Sequence, residues 1–154
     1  MTGTVDATLA ALGISLPTPV TPVANYVPSV QTGNLLWISG QISVTADGTR
    51  LTGTLRTADD IEAGRAAARQ CGINLLAQIK AALSDLDRVT RVVKLVGFVN
   101  SAPDFVDQPR VVNGCSDLFV EVFGEAGRHA RSAVGVAALP FDVSVEIEAV
   151  VEFA

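Results

Sequence analysis

Apolar positions along the chain recur with two different periods, and each period predicts its own type of element. Residues 26–44, YVPSVQTGNLLWISGQISV, are rich in β-branched and aromatic residues on both sides of Gly33 and Asn34. They therefore predict two strands joined by a Gly-Asn turn. ADGT at 46–49 predicts a second turn, and the segment after it is a candidate for a further strand.

Two long segments repeat their apolar residues every three or four positions, as an amphipathic helix does. The first is predicted to begin at Thr57, because TADD has the form of a capping box with Asp60 in the place usual for Glu or Gln. Its apolar stripe consists of Ile61, Ala68, Cys71, Leu75, Ile79 and Leu83. The second is predicted to open at SAPD, residues 101–104, and to run to about Phe123, where two glycines end it.

Three strand-like segments complete the pattern, at 89–100, 129–140 and 143–153. The last of them, VSVEIEAVVEF, alternates between apolar and polar residues, so it predicts a strand with one buried face. Its polar positions are Glu146, Glu148 and Glu152. Because the connection LPFD is short, the last two strands are predicted to form an antiparallel hairpin. The whole order predicts an α+β sandwich with helices packed on one face of a sheet.

Composition limits where the protein works and what it binds. The length of 154 residues suits a single domain over 1–154, with a short helix at 4–12 and extended chain at the prolines of 16–22. No apolar run reaches the roughly 18 residues of a membrane span, and the first residues lack the basic start of a signal peptide. Hydrophobic residues make up 49% of the chain, and this excess predicts self-association.

Charge and cysteine usage exclude further classes. The net charge is −5, and no block of Lys or Arg exists to neutralise phosphates, so nucleic acid is not an expected partner. Cys71 and Cys115 both fall in helical patterns and are predicted to be buried free thiols in a reducing cytoplasm. With a single histidine, His129, a zinc site is not expected.

One arginine stands out on an apolar strand. HARSAVGVAALP, residues 129–140, looks built for burial, yet Arg131 lies near its start. A guanidinium binds a carboxylate through two parallel hydrogen bonds, so Arg131 is a candidate for holding an acid ligand. The alternative is a structural ion pair with one of the glutamates of the neighbouring strand.

The quoted residues carry a family resemblance. NYVPSV, GNLLWISGQI and HARSAVGVAALPFDVSVEIEAV together resemble the RidA (YjgF) family of reactive-intermediate deaminases, in places called endoribonuclease L-PSP, over about residues 22–152. The resemblance implies a chorismate-mutase-like fold, a mixed and mainly antiparallel sheet with two helices on one face. It also implies a homotrimer with a small-molecule cleft at each subunit interface. Residues 1–21 then form an N-terminal extension.

The same resemblance implies an activity and a set of site residues. Typical members hydrolyse enamines and imines of 2-oxo acids to the oxo acid and ammonia, without a cofactor. The arginine that grips the substrate carboxylate corresponds to Arg131. The remaining family positions correspond to Tyr26, Ser39, Gly40, Gln41, Asn113 and Glu146.

Two residues of the arginine motif depart from the family pattern. Typical members have Arg-Ser-Cys-Val-Glu, whereas this chain has Ala133 and Gly135 in place of the cysteine and the glutamate. A covalent thiol mechanism at position 133 is therefore excluded. The chain also has extra residues at its N-terminus and around VDQPR, residues 106–110. It therefore resembles a longer and divergent branch of the family.

Each site residue has an alternative role. Glu146 could orient or deprotonate the attacking water, or it could belong to a solvated strand face. In the predicted hairpin, Arg131 and Glu146 lie roughly 13 Å apart along the strands, so both reach one ligand only through a second subunit or through strand curvature. Tyr26 could instead be a packing residue, and Ser39 with Gly40 could simply form a bend in the strand. Asn113 could be an ordinary polar position on a helix, and His129 could have a structural role.

Two functions from different classes follow. The first is a cofactor-free imine or enamine deaminase in which Arg131 binds the substrate carboxylate. The second is a protein that binds a small carboxylate metabolite without converting it, which the residues at 133 and 135 favour. A ribonuclease is disfavoured by the net charge of −5 and the absence of a His-based acid–base pair, and a chorismate mutase would rest on fold analogy alone.

Overall fold

The computed structural model describes residues 3–19, 21 and 24–154, and its sheet has five strands in the order β1-β2-β5-β3-β4. Strands β3 and β4 pair in parallel, and the other neighbours pair antiparallel. The predicted α+β sandwich with a mixed, mainly antiparallel sheet is confirmed. Its elements are α1 (Thr4–Ala11), β1 (Ser29–Thr32), β2 (Leu35–Ile42), α2 (Ile61–Leu83), β3 (Val89–Asn100), α3 (Gln108–Phe123), β4 (Ala130–Val136) and β5 (Val145–Phe153).

The first half of the chain follows the sequence pattern closely. The helix at 4–12 and the β1–β2 hairpin are confirmed, and Gly33 in the hairpin turn has φ +58°, which suits glycine. After the turn at 46–49 the described residues form only isolated bridges rather than a strand. Part of the extended segment predicted at 16–22 lies outside the described residues.

The capping box at Thr57 and Asp60 is confirmed, with a short 3-10 turn leading into α2. The start predicted for the second helix, at 101–104, is wrong, because α3 begins at Gln108. Residues after β3 keep pairing as extended chain, since the backbone N–H of Ala102 donates to the carbonyl of Leu55 at 2.8 Å. The helix therefore starts at the next favourable place, where a proline occupies its first turn.

The hairpin predicted for the last two strands is also wrong. β5 lies between β2 and β3, and β4 lies at the edge of the sheet beyond β3. β5 buries most of its residues and takes a central position, whereas none of the small residues of β4 is fully buried. The connection at 137–144 therefore passes the end of β3, where the buried Asn100 amide donates to Asp142 Oδ1 at 3.2 Å and to the carbonyl of Val143 at 3.3 Å.

The core lies between the sheet and the helices α2 and α3, and it contains both cysteines as buried free thiols. The two helices approach so closely at Gly114 that a Cβ there would overlap the backbone carbonyl of Arg65. The opposite face of the sheet carries exposed apolar side chains, including Val30 and Trp37, the latter 52% exposed. Exposed apolar surface of this kind is what the predicted self-association would bury.

Candidate active site

Arg131 lies on β4 and extends to the neighbouring helix α3. Its Nη1 donates to Asn113 Oδ1 at 2.7 Å and to Ser116 Oγ at 3.1 Å, and its Nη2 donates to the carbonyl of Pro109 at 3.3 Å. Together with His129, which hydrogen-bonds to Ser116, these side chains form the arginine cluster (Arg131, Asn113, Ser116 and His129). The structure thus brings together two sequence-predicted site residues, Arg131 and Asn113.

The guanidinium in this cluster keeps an edge for a ligand. A guanidinium has five N–H donors, and the contacts of Arg131 use both on Nη1 and one on Nη2. Within the described part of the chain, Nε–H and one N–H of Nη2 have no acceptor, and no carboxylate pairs with Arg131. Nε and Nη2 form one of the edges through which a guanidinium binds a carboxylate with two parallel bonds. The structural ion pair considered from the sequence is not formed.

The two buried cysteines are poor candidates for nucleophiles. Burial raises the pKa of the Cys115 thiol strongly, although the positive charge of Arg131 opposes the shift. Burial also raises the pKa of Cys71 well above its ordinary value. A buried thiol that holds its proton is a poor nucleophile, so the prediction that both cysteines pack rather than react agrees with their surroundings.

A second group of predicted residues lines one cleft beside β2, with a volume of about 530 Å³. Tyr26, Ser39, Gly40 and Glu146 all border it, and Tyr26 is 57% exposed. We call this cavity the β2 cleft. Asn113 and Arg131 do not border the cleft, so the structure divides the predicted site into two parts.

Ser39 and Gly40 lie where the pairing of β2 with β5 shifts register, between Ile38 and Gln41. Such a bulge turns backbone groups away from the sheet and is frequent beside active sites. Here the Ser39 hydroxyl donates to the carbonyl of Val27 at 2.8 Å, so its proton holds the segment next to Tyr26. Ser39 therefore fixes the wall of the cleft in this structure, and its oxygen lone pairs remain for a ligand.

Glu146 is the acid of the β2 cleft. Its side chain is half-buried, and its carboxylate makes no hydrogen bond or ion pair with any residue that the structure describes. Burial raises the pKa of Glu146 above its ordinary value, and the negative charge of Glu148 raises it further. A carboxylate with a raised pKa, free of partners and next to a cavity, has the properties of a general base.

Gly40 leaves the space that this carboxylate occupies. A Cβ at Gly40 would overlap Oε1 of Glu146, the far end of a flexible side chain. We expect Gly40→Ala to displace the carboxylate and lower kcat about tenfold, while the free energy of unfolding changes by less than about 1 kcal/mol. Steady-state kinetics and thermal melts check this, and the same substitution in Glu146→Gln should cause no further loss. An additive loss would show that Gly40 acts independently of Glu146.

One chain cannot bring Arg131 and Glu146 to the same ligand. Arg131 pairs with Leu95 on β3, which pairs with Ala149 on β5, three residues from Glu146. Two strand spacings and three residues place the Cα atoms about 14 Å apart. Arg131 also points to α3, on the helix side of the sheet. Glu146 alternates along β5 with buried residues that face the helices, so its side chain starts from the other face of the sheet. The distance between Arg131 and Glu146 is therefore similar to the one expected from the predicted hairpin, although the strands between them are arranged differently.

The two family departures have different structural consequences. Ala133 is partly buried and packs against the core, two residues from Arg131. A Cβ at Gly135 would lie 2.6 Å from Ser101 Oγ and 2.8 Å from Gln108 Nε2. Gln108 is held there by the carbonyl of Phe105 at 2.6 Å. The space beside position 135 is thus filled by other polar groups, and a glutamate there would need them to move.

Several residues that shape these sites could not be identified from the sequence. Ser116 carried no signal, because a serine on a helix has no preferred role. Arg50 and Phe141 border the β2 cleft, with the guanidinium carbon 4.2 Å from the ring centroid. Phe141 has φ +58°, a conformation that apolar residues rarely adopt, and its side chain is exposed. The only sequence signal for Phe141 is that an aromatic residue directly follows the Leu-Pro turn.

In the described ranges, no three His, Cys, Asp or Glu side chains lie close enough to hold a metal ion. None of the helices that the structure describes is long and apolar enough to span a bilayer.

Comparison with known proteins gives the chain clear relatives. A family model described as "YjgF/chorismate mutase-like, putative endoribonuclease" matches residues 6–152. Protein TCP17 of Trypanosoma cruzi is 52% identical over 151 residues, which cover 97% of this chain and 94% of the relative. The 2-iminobutanoate/2-iminopropanoate deaminase of Dermatophagoides farinae is 32% identical over 139 residues, covering 90% and 93%.

Solved structures have the same fold. Protein Atu1372 of Agrobacterium tumefaciens superposes with a TM-score of 0.89 at 48% identity, covering 97% of this chain and 92% of the other. Escherichia coli TdcF, solved with bound serine, superposes with a TM-score of 0.63 at 27% identity, covering 92% and 98%.

Proposed function

Because the chain belongs to the YjgF (RidA) family, we propose that it hydrolyses imines and enamines of 2-oxo acids to the oxo acid and ammonia. The observation that carries this proposal is the free edge of Arg131, which has no acidic partner among the residues described. The names of two relatives support it, since one is a deaminase of 2-imino acids and another was solved with the amino acid serine. Free cysteines fit a cytoplasmic location, which we include in the proposal.

The site is proposed to form between two subunits of a homotrimer. The arginine cluster and the β2 cleft each hold only part of the predicted machinery, and they lie too far apart within one chain to share a small ligand. The apolar sheet face with Trp37 offers surface for association. In a cyclic trimer each interface joins two different surfaces, so the arginine cluster of one subunit can face the β2 cleft of the next.

In this arrangement each group has one task. Arg131 binds the substrate carboxylate through Nε and Nη2, while Asn113 and Ser116 hold the guanidinium in place. Glu146 removes a proton from water as the oxygen adds to the C=N carbon, and the imine nitrogen takes up a proton. The resulting aminoalcohol loses its hydroxyl proton and forms the C=O bond as its C–N bond breaks, and the nitrogen gains a proton, so that ammonia and the 2-oxo acid are released. An enamine enters this route after it gains a proton at carbon and loses one from nitrogen, which gives the imine.

Positioning alone contributes much of the acceleration in this proposal. An imine is already electrophilic and hydrolyses in water without a catalyst, so holding it next to an activated water is the main requirement. Neither a thiol at position 133 nor a glutamate at position 135 is needed for any of these steps. Both absences are therefore compatible with turnover.

An imine-hydrolysis assay tests the function. An amino-acid oxidase generates 2-imino acids from several amino acids, and semicarbazide competes with the protein for the imine. We expect the protein to lower semicarbazone formation, with the preferred amino acid outlining the pocket. If no imine is hydrolysed faster but a 2-oxo acid still raises the melting temperature, the protein is a carboxylate-binding protein instead, the alternative that Ala133 and Gly135 favour.

A further inference from the structure

We propose that Ser116 and His129 act as a pair of positioning residues that set the orientation of Arg131 for its carboxylate ligand. This inference rests on the proposed function, because it assigns to Arg131 the role of binding the substrate. The two residues are joined by a hydrogen bond between Ser116 Oγ and His129 Nε2 at 2.9 Å. Ser116 Oγ also accepts a hydrogen bond from Arg131 Nη1. Ser116 lies outside the segments that carry the family resemblance, and His129 lies in one of them but is not among the site residues that the resemblance implies.

The hydrogen-bond partners determine which way each proton points. His129 Nδ1 lies 2.6 Å from the carbonyl of Gly127, which can only accept, so Nδ1 carries a proton. In the neutral ring Nε2 is then an acceptor, and the Ser116 hydroxyl donates to it. This donation turns the lone pairs of Ser116 Oγ to Arg131 Nη1, 3.1 Å away. The chain of bonds is Arg131 to Ser116 to His129 to Gly127.

The surroundings of His129 favour the neutral form of its ring. Burial lowers the pKa of His129 below its ordinary value, the bond to Gly127 opposes this shift, and the positive charge of Arg131 adds to it. The ring of Phe119 lies edge-on at 6.5 Å and restricts how the imidazole can turn. A neutral, fixed imidazole is what an acceptor for the Ser116 proton requires.

The consequence falls on the free edge of the guanidinium. Asn113 and Ser116 together occupy both N–H groups of Nη1, so two bonds fix the plane of the guanidinium. With Ser116 Oγ removed, only Asn113 holds Nη1 and only the Pro109 carbonyl, at 3.3 Å, holds Nη2, so the orientation of the guanidinium is less restricted. A carboxylate then has to pay for orienting Arg131 when it binds, which weakens binding but leaves the chemistry unchanged.

Kinetics of three variants test the pair. We expect Ser116→Ala to raise the KM for 2-iminobutanoate, and the Kd for 2-oxobutanoate measured by calorimetry, about tenfold, with kcat unchanged. Ser116→Thr keeps the hydroxyl and should restore both constants. His129→Phe keeps the ring packing on Phe119 but removes the acceptor, so a smaller increase of about threefold is expected. Ser132→Ala is the control, because Ser132 Oγ contacts Lys94 instead.

A double substitution decides whether His129 acts through Ser116. In the Ser116→Ala background, His129→Phe should cause no further increase in Kd, because the group it orients is gone. Independent, additive effects would overturn the pair, as would wild-type constants in Ser116→Ala.

The two proposals fail in different ways. If the wild-type protein hydrolyses no imine but binds 2-oxobutanoate, and Ser116→Ala weakens that binding, the positioning pair stands and the deaminase function falls. If imines are hydrolysed and Ser116→Ala has no effect on KM or Kd, the function stands and the pair falls. If 2-oxobutanoate does not bind and no imine is hydrolysed, both are overturned.

Discussion

Arg131→Ala is expected to reduce imine hydrolysis to the uncatalysed rate. The substitution removes both donors of the proposed carboxylate site, and each charge-assisted bond contributes about 1.5–3 kcal/mol, so kcat/KM should fall by a factor on the order of 100–10,000. The imine-competition assay measures this directly. Melting temperatures should change little, because Arg131 is partly exposed and its partners on α3 can bind water instead.

Two further arginine variants make the test specific. Arg131→Lys keeps the charge but loses the planar pair of donors, so it should recover only a small part of the activity. Arg110→Ala removes an exposed arginine of α3, the helix that Arg131 contacts, and should leave the activity unchanged, since the partner of Arg110 is Asp107 at 3.6 Å. Full activity in a folded Arg131→Ala protein would refute the proposed binding mode.

Glu146→Gln is expected to lower kcat about 100-fold with a small change in KM, because a general base acts on the water and contributes at least that factor. The pH profile gives the second measurement. Activity of the wild-type protein should fall as the pH drops through the pKa of Glu146, which burial and Glu148 raise above its ordinary value. In Glu146→Gln this acid limb should disappear.

Glu148→Gln is the matched control for this prediction. Glu148 is exposed on the same strand, and its negative charge raises the pKa of Glu146. Neutralising it should lower that pKa, so the acid limb should move to lower pH while kcat at neutral pH stays the same. An unchanged acid limb in Glu146→Gln would assign the titration to another group and remove Glu146 from the mechanism.

The sequence predicts those parts of the fold that depend on local patterns. The stripe from Ile61 to Leu83, the Gly33 turn and the capping box at Thr57 each act over a few residues, and all three form as expected. The family resemblance supplied Tyr26, Ser39, Gly40 and Glu146, which the structure places around one cleft. Their roles in the reaction remain predictions.

Non-local competition accounts for the errors. Proximity in sequence favoured pairing β4 with β5, but β5 is the more apolar strand and gains more from the central place between β2 and β3. No local pattern reveals that competition. The start of α3 was misplaced for a similar reason, since Ala102 finds a distant partner in Leu55 before the helix can begin. The Ser116–His129 bond depends on the contact between α3 and β4, so only the structure shows it.

The central claim is that Arg131 and Glu146 of one active site belong to different subunits. Coexpression of Arg131→Ala and Glu146→Gln chains with separate affinity tags, followed by purification of the mixed trimers, tests it most directly. Each variant alone should be inactive. In a cyclic trimer that contains both variants, one of the three interfaces has both side chains intact, so the purified mixed trimers should recover about a third of the wild-type activity. If mixed trimers remain as inactive as the separate variants, the site shared between subunits is contradicted.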